Sequence, residues 1–265
     1  MSGWHPVWRC AAALLCALVL PAQAQTTPQV VDIATRPGVT QRLLVLAPPQ
    51  PRATVVLLAG GHGGLQLSPD GAMRWGAGNF LVRSRQLFVD QGLLVVVVDA
   101  PSDRQSPPYL NGFRQTLGHV ADLRAVIAWA RGRAQVPVWL VGTSRGTESA
   151  AYVATELTGA DGPDGVVLTA TLMTDPRGRP VPAMPLDKIR VPVLLVHHEQ
   201  DGCAHCAFSW VPTLQGRLAH APRTGVLSYR GGESRGDPCE AFAFHGFNGI
   251  EASVVQQTAA WVLAK

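Results

Sequence analysis

Gly142-Thr143-Ser144-Arg145-Gly146 is the stretch whose reading decides the fold. The apolar run Val136-Pro137-Val138-Trp139-Leu140-Val141 precedes it and reads as a buried strand. Thr147-Glu148-Ser149-Ala150-Ala151-Tyr152-Val153-Ala154 follows and reads as a helix. G-x-S-x-G between a strand and a helix is the setting in which this pattern forms a nucleophile elbow. The reason is steric. A serine on so tight a turn sits on strained backbone, and its neighbours two residues away on either side must leave room, which Gly142 and Gly146 do. The turn lifts the Ser144 hydroxyl above the sheet edge. The Arg145 amide then faces the place where an oxyanion forms, at the positive end of the new helix.

Outward from the elbow, strand-like and helix-like runs alternate. Gln29–Ile33 reads as a short edge strand and Gln41–Ala47 as a second strand, closed by the loop Pro48-Pro49-Gln50-Pro51. Thr54–Ala59 is fully apolar and runs into Gly60-Gly61-His62-Gly63-Gly64. A helix is expected between Arg74 and Asp90, then the most apolar strand, Leu93–Val98, then a long polar loop from Asp99 to Gly112. Leu117–Arg131 reads as an amphipathic helix with Leu123, Val126, Ile127 and Trp129 on its apolar side. Gly165–Ala170, Val191–Val196 and Val226–Tyr229 are the remaining strands, with helices expected over Ala207–Leu218 and Ile250–Leu263. Continuously apolar strands that alternate with helices predict an α/β fold, a mostly parallel central sheet covered on both faces. The Pro-rich segment between Ala170 and Val191 is too short for more than a minimal lid.

The chain has 265 residues, of which 47% are hydrophobic and 15% charged, so a sizeable core is available and disorder is excluded as the dominant state. Net charge is +4, with arginines scattered and no basic block, which argues against a nucleic-acid partner. At the N-terminus, Arg9, the apolar run Cys10–Leu20 and Ala22-Gln23-Ala24 have the layout of a secretory signal peptide over residues 1–24. A single domain over 25–265 is expected to begin at Gln25, exported to a bacterial periplasm or beyond, with no stable membrane insertion after cleavage. An uncleaved anchor is the alternative, but the run is short for a bilayer. Cys10 and Cys16 leave with the leader; Cys203, Cys206 and Cys239 remain, an odd number for an oxidising compartment.

Serine is a weak nucleophile without a base, and the base needs an orienting acid. In an open parallel sheet such groups collect beyond the carboxyl ends of the strands. Val191–Val196 runs into His197-His198-Glu199-Gln200-Asp201, which makes Asp201 the candidate acid, with Glu199 and Asp175 as rivals. As a bland alternative, Asp201 caps a turn or the following helix. His245, in Phe244-His245-Gly246-Phe247 before the last helix, is the candidate base, with Gly246 giving the backbone freedom to aim the ring. His119 and Asp122 read as a local pair on one helix face, and His220 as solvated. One of His197 and His198 is expected to meet a structural hydrogen bond. The second oxyanion donor is expected from the glycine-rich loop, at Gly61 or His62, paired with Arg145. Trp75, Arg104, Tyr109 and Ser102-Asp103 lie past strand ends as possible pocket residues.

The order Ser144, Asp201, His245 is nucleophile, acid, base, and over essentially all of residues 25–265 the sequence resembles the α/β-hydrolase superfamily. More narrowly it is similar to a group of small exported bacterial members with a G-T-S-R-G elbow, an acid followed by cysteine (Asp201-Gly202-Cys203), and Pro238-Cys239-Glu240 ahead of His245-Gly246. The resemblance implies a serine hydrolase that cleaves an ester-type small molecule and needs no cofactor. Together with the neighbouring positions of the acid and base loops in an assembled triad, it favours a Cys203–Cys239 bridge, with Cys206–Cys239 and Cys203–Cys206 as the other pairings. A metal site from His197, His198, Cys203, His205 and Cys206 is the sharper alternative, disfavoured because the ligands crowd one stretch and lack a second distant pair. Amidase or peptidase, thioesterase and lipase activities share the fold, and a non-catalytic secreted binding module is the reading from another class. Oligomeric state is not legible.

Overall fold

The computed structural model describes residues 1–4, 27–176 and 178–264. The proposed leader beyond its first four residues, with Cys10, Cys16 and Ala22-Gln23-Ala24, lies outside the described residues.

Eight strands form one open sheet in the order β1-β2-β4-β3-β5-β6-β7-β8. They are β1 (Gln29–Arg36), β2 (Val39–Leu46), β3 (Ala53–Leu58), β4 (Leu93–Pro101), β5 (Val138–Thr143), β6 (Gly165–Thr169), β7 (Val193–His198) and β8 (Thr224–Tyr229). The pairs β1–β2 and β2–β4 are antiparallel, and all others are parallel. The helices are α1 (Phe80–Arg83), α2 (Arg85–Asp90), α3 (Leu117–Ala134), α4 (Gly146–Glu156), α5 (Val211–Gly216) and α6 (Glu251–Leu263).

Alternation along the strands explains why their apolar runs have no polar face. Leu94, Val96 and Val98 of β4 belong to the core layer that includes α3, α4 and α5, whereas Leu93, Val95 and Val97 belong to the layer on the other side, with α1, α2 and α6. Both faces are therefore core. Between Ala170 and Val191 the described residues carry two short 3-10 turns, and Val181, Met184 and Leu186 join the α3–α4 layer.

Several elements differ from the sequence expectation, each for a local reason. The single helix expected in 74–90 is two short ones, broken at Ser84, whose amide already bonds back to the Phe80 carbonyl at 3.1 Å. The helix expected over Ala207–Leu218 shrinks to a 3-10 turn and α5. Asp99 is not loop: β4 continues through it to Pro101. Its buried carboxylate accepts the amides of Leu65, Gln66 and Leu67 at 2.7–3.1 Å, which ties the loop after β3 to β4. His119 and Asp122 do not pair with each other. His119 Nε2 meets Ser149 Oγ at 2.9 Å, while Asp122 takes Thr35 and Arg36 at 2.6 and 2.8 Å and clamps β1 onto α3.

Candidate active site

The nucleophile candidate stands where β5 turns into α4. Ser144 has φ 51°, the left-handed region that a residue with a side chain enters at a cost, and this strain is the mark of an elbow. Its amide donates to the Thr169 carbonyl at 3.0 Å, and its carbonyl accepts from Thr147 Oγ1 at 2.5 Å, so the turn is held from both sides. A methyl group on Gly146 would lie 2.0 Å from the Leu58 carbonyl oxygen, and one on Gly142 would lie 2.4 Å from the Gly146 oxygen. Both obstacles are backbone. Gly146→Ala is therefore expected to cost about 3 kcal/mol or more, at the upper end for overpacking. Its melting temperature should fall well below that of the parent chain; equal melting curves would mean that this turn is not tight.

The acid and base candidates meet. His245 Nδ1 lies 2.9 Å from Asp201 Oδ2, and both side chains are buried. The other carboxylate oxygen of Asp201 accepts the Cys203 amide at 2.9 Å, so the residue caps a turn while it faces the His245 ring. The base loop is braced at three points. Arg83 donates to the Gly246 carbonyl at 2.6 Å while paired with Glu251 at 2.9 Å, and the buried Phe247 packs on Phe80. Gly246 is required for space rather than conformational freedom, because its Cβ would sit 1.8 Å from the Ala241 carbonyl oxygen. The rival acids are occupied elsewhere: Asp175 bonds the Arg145 guanidinium at 2.8 Å, and Glu199 bonds Ser228 and Arg230.

A cavity of about 600 Å³ opens over these groups, lined by Ser144, Arg145, His245, Gly61, Trp75 and Phe242 among others. Gly61 reaches the wall. His62 is not among the lining residues: its ring is stacked between Trp75 and Tyr109, at 3.8 and 4.2 Å between centroids. Buried Arg114 donates to the carbonyls of Ala59 and Gly61, at 3.0 and 3.2 Å, which fixes this loop from below. Of the other pocket candidates only Trp75 lines the cavity; Arg104 covers Phe113, and Asp103 pairs with Arg36. Phe242, Arg83 and Arg114 went unread in the sequence because their partners are distant along the chain.

Cys203, Cys206 and Cys239 all line the same cavity. Cys203 and Cys239 form a disulfide, and Cys206 is a buried free thiol whose sulfur lies within 4.8 Å of a His245 ring nitrogen. Burial alone would lower the His245 pKa. The Asp201 bond, followed by Cys206, outweighs it and raises the ring above its ordinary value.

His119, His197 and His198 are buried and hydrogen-bonded to neighbouring elements. As expected from the sequence, His197 and His198 end a strand: they are the last residues of β7. His197 Nε2 meets Thr171 Oγ1 and His198 Nε2 meets the Gly231 carbonyl, each at 2.9 Å. Burial drives the His119 ring down to about 3, helped by Arg114 and Arg36, and drives His197 to about 3, helped by His245. A folded-state value below the unfolded one means that the unfolded chain binds protons the native chain refuses. Their contribution is complete above about pH 6.5 and is lost as pH falls toward 3. Two such groups predict a stability loss of about 2.7 kcal/mol per pH unit below 6.5. Guanidinium unfolding between pH 6.5 and 5, above most carboxylate titration, checks this; a flat profile would mean that these rings are not held neutral.

No family model matches the chain, and no curated protein matches it in sequence. Solved structures do. An α/β serine hydrolase homologue from Coxiella burnetii superposes with TM-score 0.60 at 20% identity, over 92% of this chain and 100% of that one. A lidless α/β serine hydrolase from Xanthomonas campestris gives 0.58 at 17%, over 92% and 99%. A dienelactone hydrolase from Anabaena variabilis gives 0.57 at 17%, over 89% and 98%. The fold is that of the α/β hydrolases.

Proposed function

We propose that this protein is a serine hydrolase that cleaves an ester or related acyl bond of a small molecule. The observation that carries the reading is the 2.9 Å Asp201–His245 bond in the wall of a cavity that the strained Ser144 also lines. In this reading Asp201 accepts the Nδ1 proton of His245 and leaves Nε2 as the base. Ser144 Oγ adds to the substrate carbonyl as its proton passes to Nε2. The Arg145 amide and a Gly61 or His62 amide hold the oxyanion. The imidazolium, held against the Asp201 carboxylate, returns its proton to the leaving alcohol. Water then hydrolyses the acyl-enzyme by the same steps. An open mouth flanked by Trp75 and Phe242, both partly exposed, suits a small or flat apolar acyl or alcohol group.

Export belongs to the same proposal. The leader-like N-terminus and a disulfide between the acid and base loops support it, and no described helix is long and apolar enough to cross a membrane. The test of the catalytic reading is a fluorophosphonate probe on the purified protein. Covalent labelling that maps to Ser144 supports the hydrolase, and no labelling of a folded sample favours a binding module.

A further inference from the structure

Sequence spacing places Cys203 and Cys206 as a C-x-x-C pair without a distant partner. The fold supplies one. Among the described residues, a ring nitrogen of His245 and the sulfurs of Cys203 and Cys206 all lie within 4.8 Å of one another. We infer that reduction of the Cys203–Cys239 bridge opens a site for a thiophilic divalent cation, zinc above all, held by Cys203, Cys206 and the His245 imidazole.

Three features favour this donor set. Two thiolates at C-x-x-C spacing plus one imidazole form a Cys2His set, which leaves a fourth tetrahedral position open. The Cys203–Cys206 turn is already closed by the Cys206 amide on the Cys203 carbonyl at 2.9 Å, so both sulfurs lie at the end of one short, fixed turn. His245 is bonded through Nδ1 to Asp201, the carboxylate–histidine arrangement that orients an imidazole whose other nitrogen takes a metal. Access is provided too, because all three residues line the cavity.

The bridge is the gate. While Cys203 sulfur is bonded to Cys239, it carries no thiolate charge to offer a cation. A dithiol or phosphine reductant breaks the S–S bond, delivers two electrons and leaves two thiols. The cation then displaces one proton from Cys203 and one from Cys206. The imidazole in that site cannot accept a proton from Ser144, so hydrolysis stops until the cation is removed. This last consequence rests on the function proposed above; the binding itself does not.

Cobalt(II) is the probe, because thiolate ligation gives it intense near-ultraviolet charge-transfer absorption. Full-length protein treated with phosphine reductant is expected to develop this absorption and saturate at one cobalt per chain. Zinc should then displace it. The oxidised protein should show none, reduced Cys206→Ala should lose it, and Cys239→Ser should show it with reductant present only to keep thiols free. Zinc should abolish ester hydrolysis by the reduced parent but leave Cys206→Ala at its own zinc-free rate. Equal absorption in oxidised protein or in Cys206→Ala would overturn the site. So would its absence from folded reduced parent and folded Cys239→Ser, or unfolding of both once unbridged. Absorption as expected in a protein that hydrolyses no ester would uphold the site and reject the hydrolase.

Discussion

Replacing Ser144 by alanine is expected to lower turnover of a p-nitrophenyl ester by about a millionfold, as for loss of the nucleophile in a comparable serine triad. Fluorophosphonate labelling should vanish with it. The fold should survive, because alanine keeps the Cβ that the turn already accommodates at φ 51° and removes only a hydroxyl at the cavity surface. His245→Ala is expected to cost about as much, and the double variant hardly more, because the two groups act as one unit in the same step. Circular dichroism and a melting curve beside the kinetics separate lost chemistry from lost structure. A folded Ser144→Ala protein that still hydrolyses ester at near the parent rate would remove the nucleophile from this reading.

The strand–turn–helix around Ser144 was legible because the strand before and the helix after each have their own pattern; the crowding of Gly142 by Gly146 is local, whereas that of Gly146 comes from the Leu58 carbonyl and shows only in the fold. The sheet was legible for a similar reason: runs such as Leu93–Val98 have apolar residues on both faces, which only a doubly covered strand tolerates. The meeting of Asp201 and His245 followed from one topological rule, that reactive groups gather past strand ends.

Whatever depends on contact between distant segments was not legible. Asp99 reads as the first residue of a polar loop until the amides of Leu65 and Leu67 are seen on its carboxylate. His197 and His198 read as a strand end because their polarity breaks an apolar run; Thr171 and the Gly231 carbonyl, from other loops, satisfy them inside β7. Cys206 had a visible spacing but no visible direction, and its approach to His245 exists only once the acid and base loops are side by side. In Gly246 the residue was recognised and its reason was not, since the obstacle is the Ala241 carbonyl rather than the backbone angle.

Asp201→Asn is expected to reduce turnover by about ten-thousandfold while leaving the fold in place, the effect of the same exchange in a comparable triad. Asparagine is nearly isosteric. Its Oδ1 can still accept the Cys203 amide, so the turn that carries the acid is retained. What changes is the atom that faces His245. An amide NH2 there cannot accept the Nδ1 proton, so the ring takes the tautomer whose Nε2 carries hydrogen and is no base. The imidazolium also loses a carboxylate 2.9 Å away, in a buried site where no solvent replaces it. Asp175→Asn and Glu199→Gln are the controls. Asp175 is bonded to Arg145 and Glu199 to Arg230, so neither exchange touches the imidazole, and each should leave turnover within about tenfold, a change of 1.4 kcal/mol in the barrier. A collapse of activity in either control, with Asp201→Asn unaffected, would transfer the acid role to that residue and require the His245 ring to leave the position it holds against Asp201.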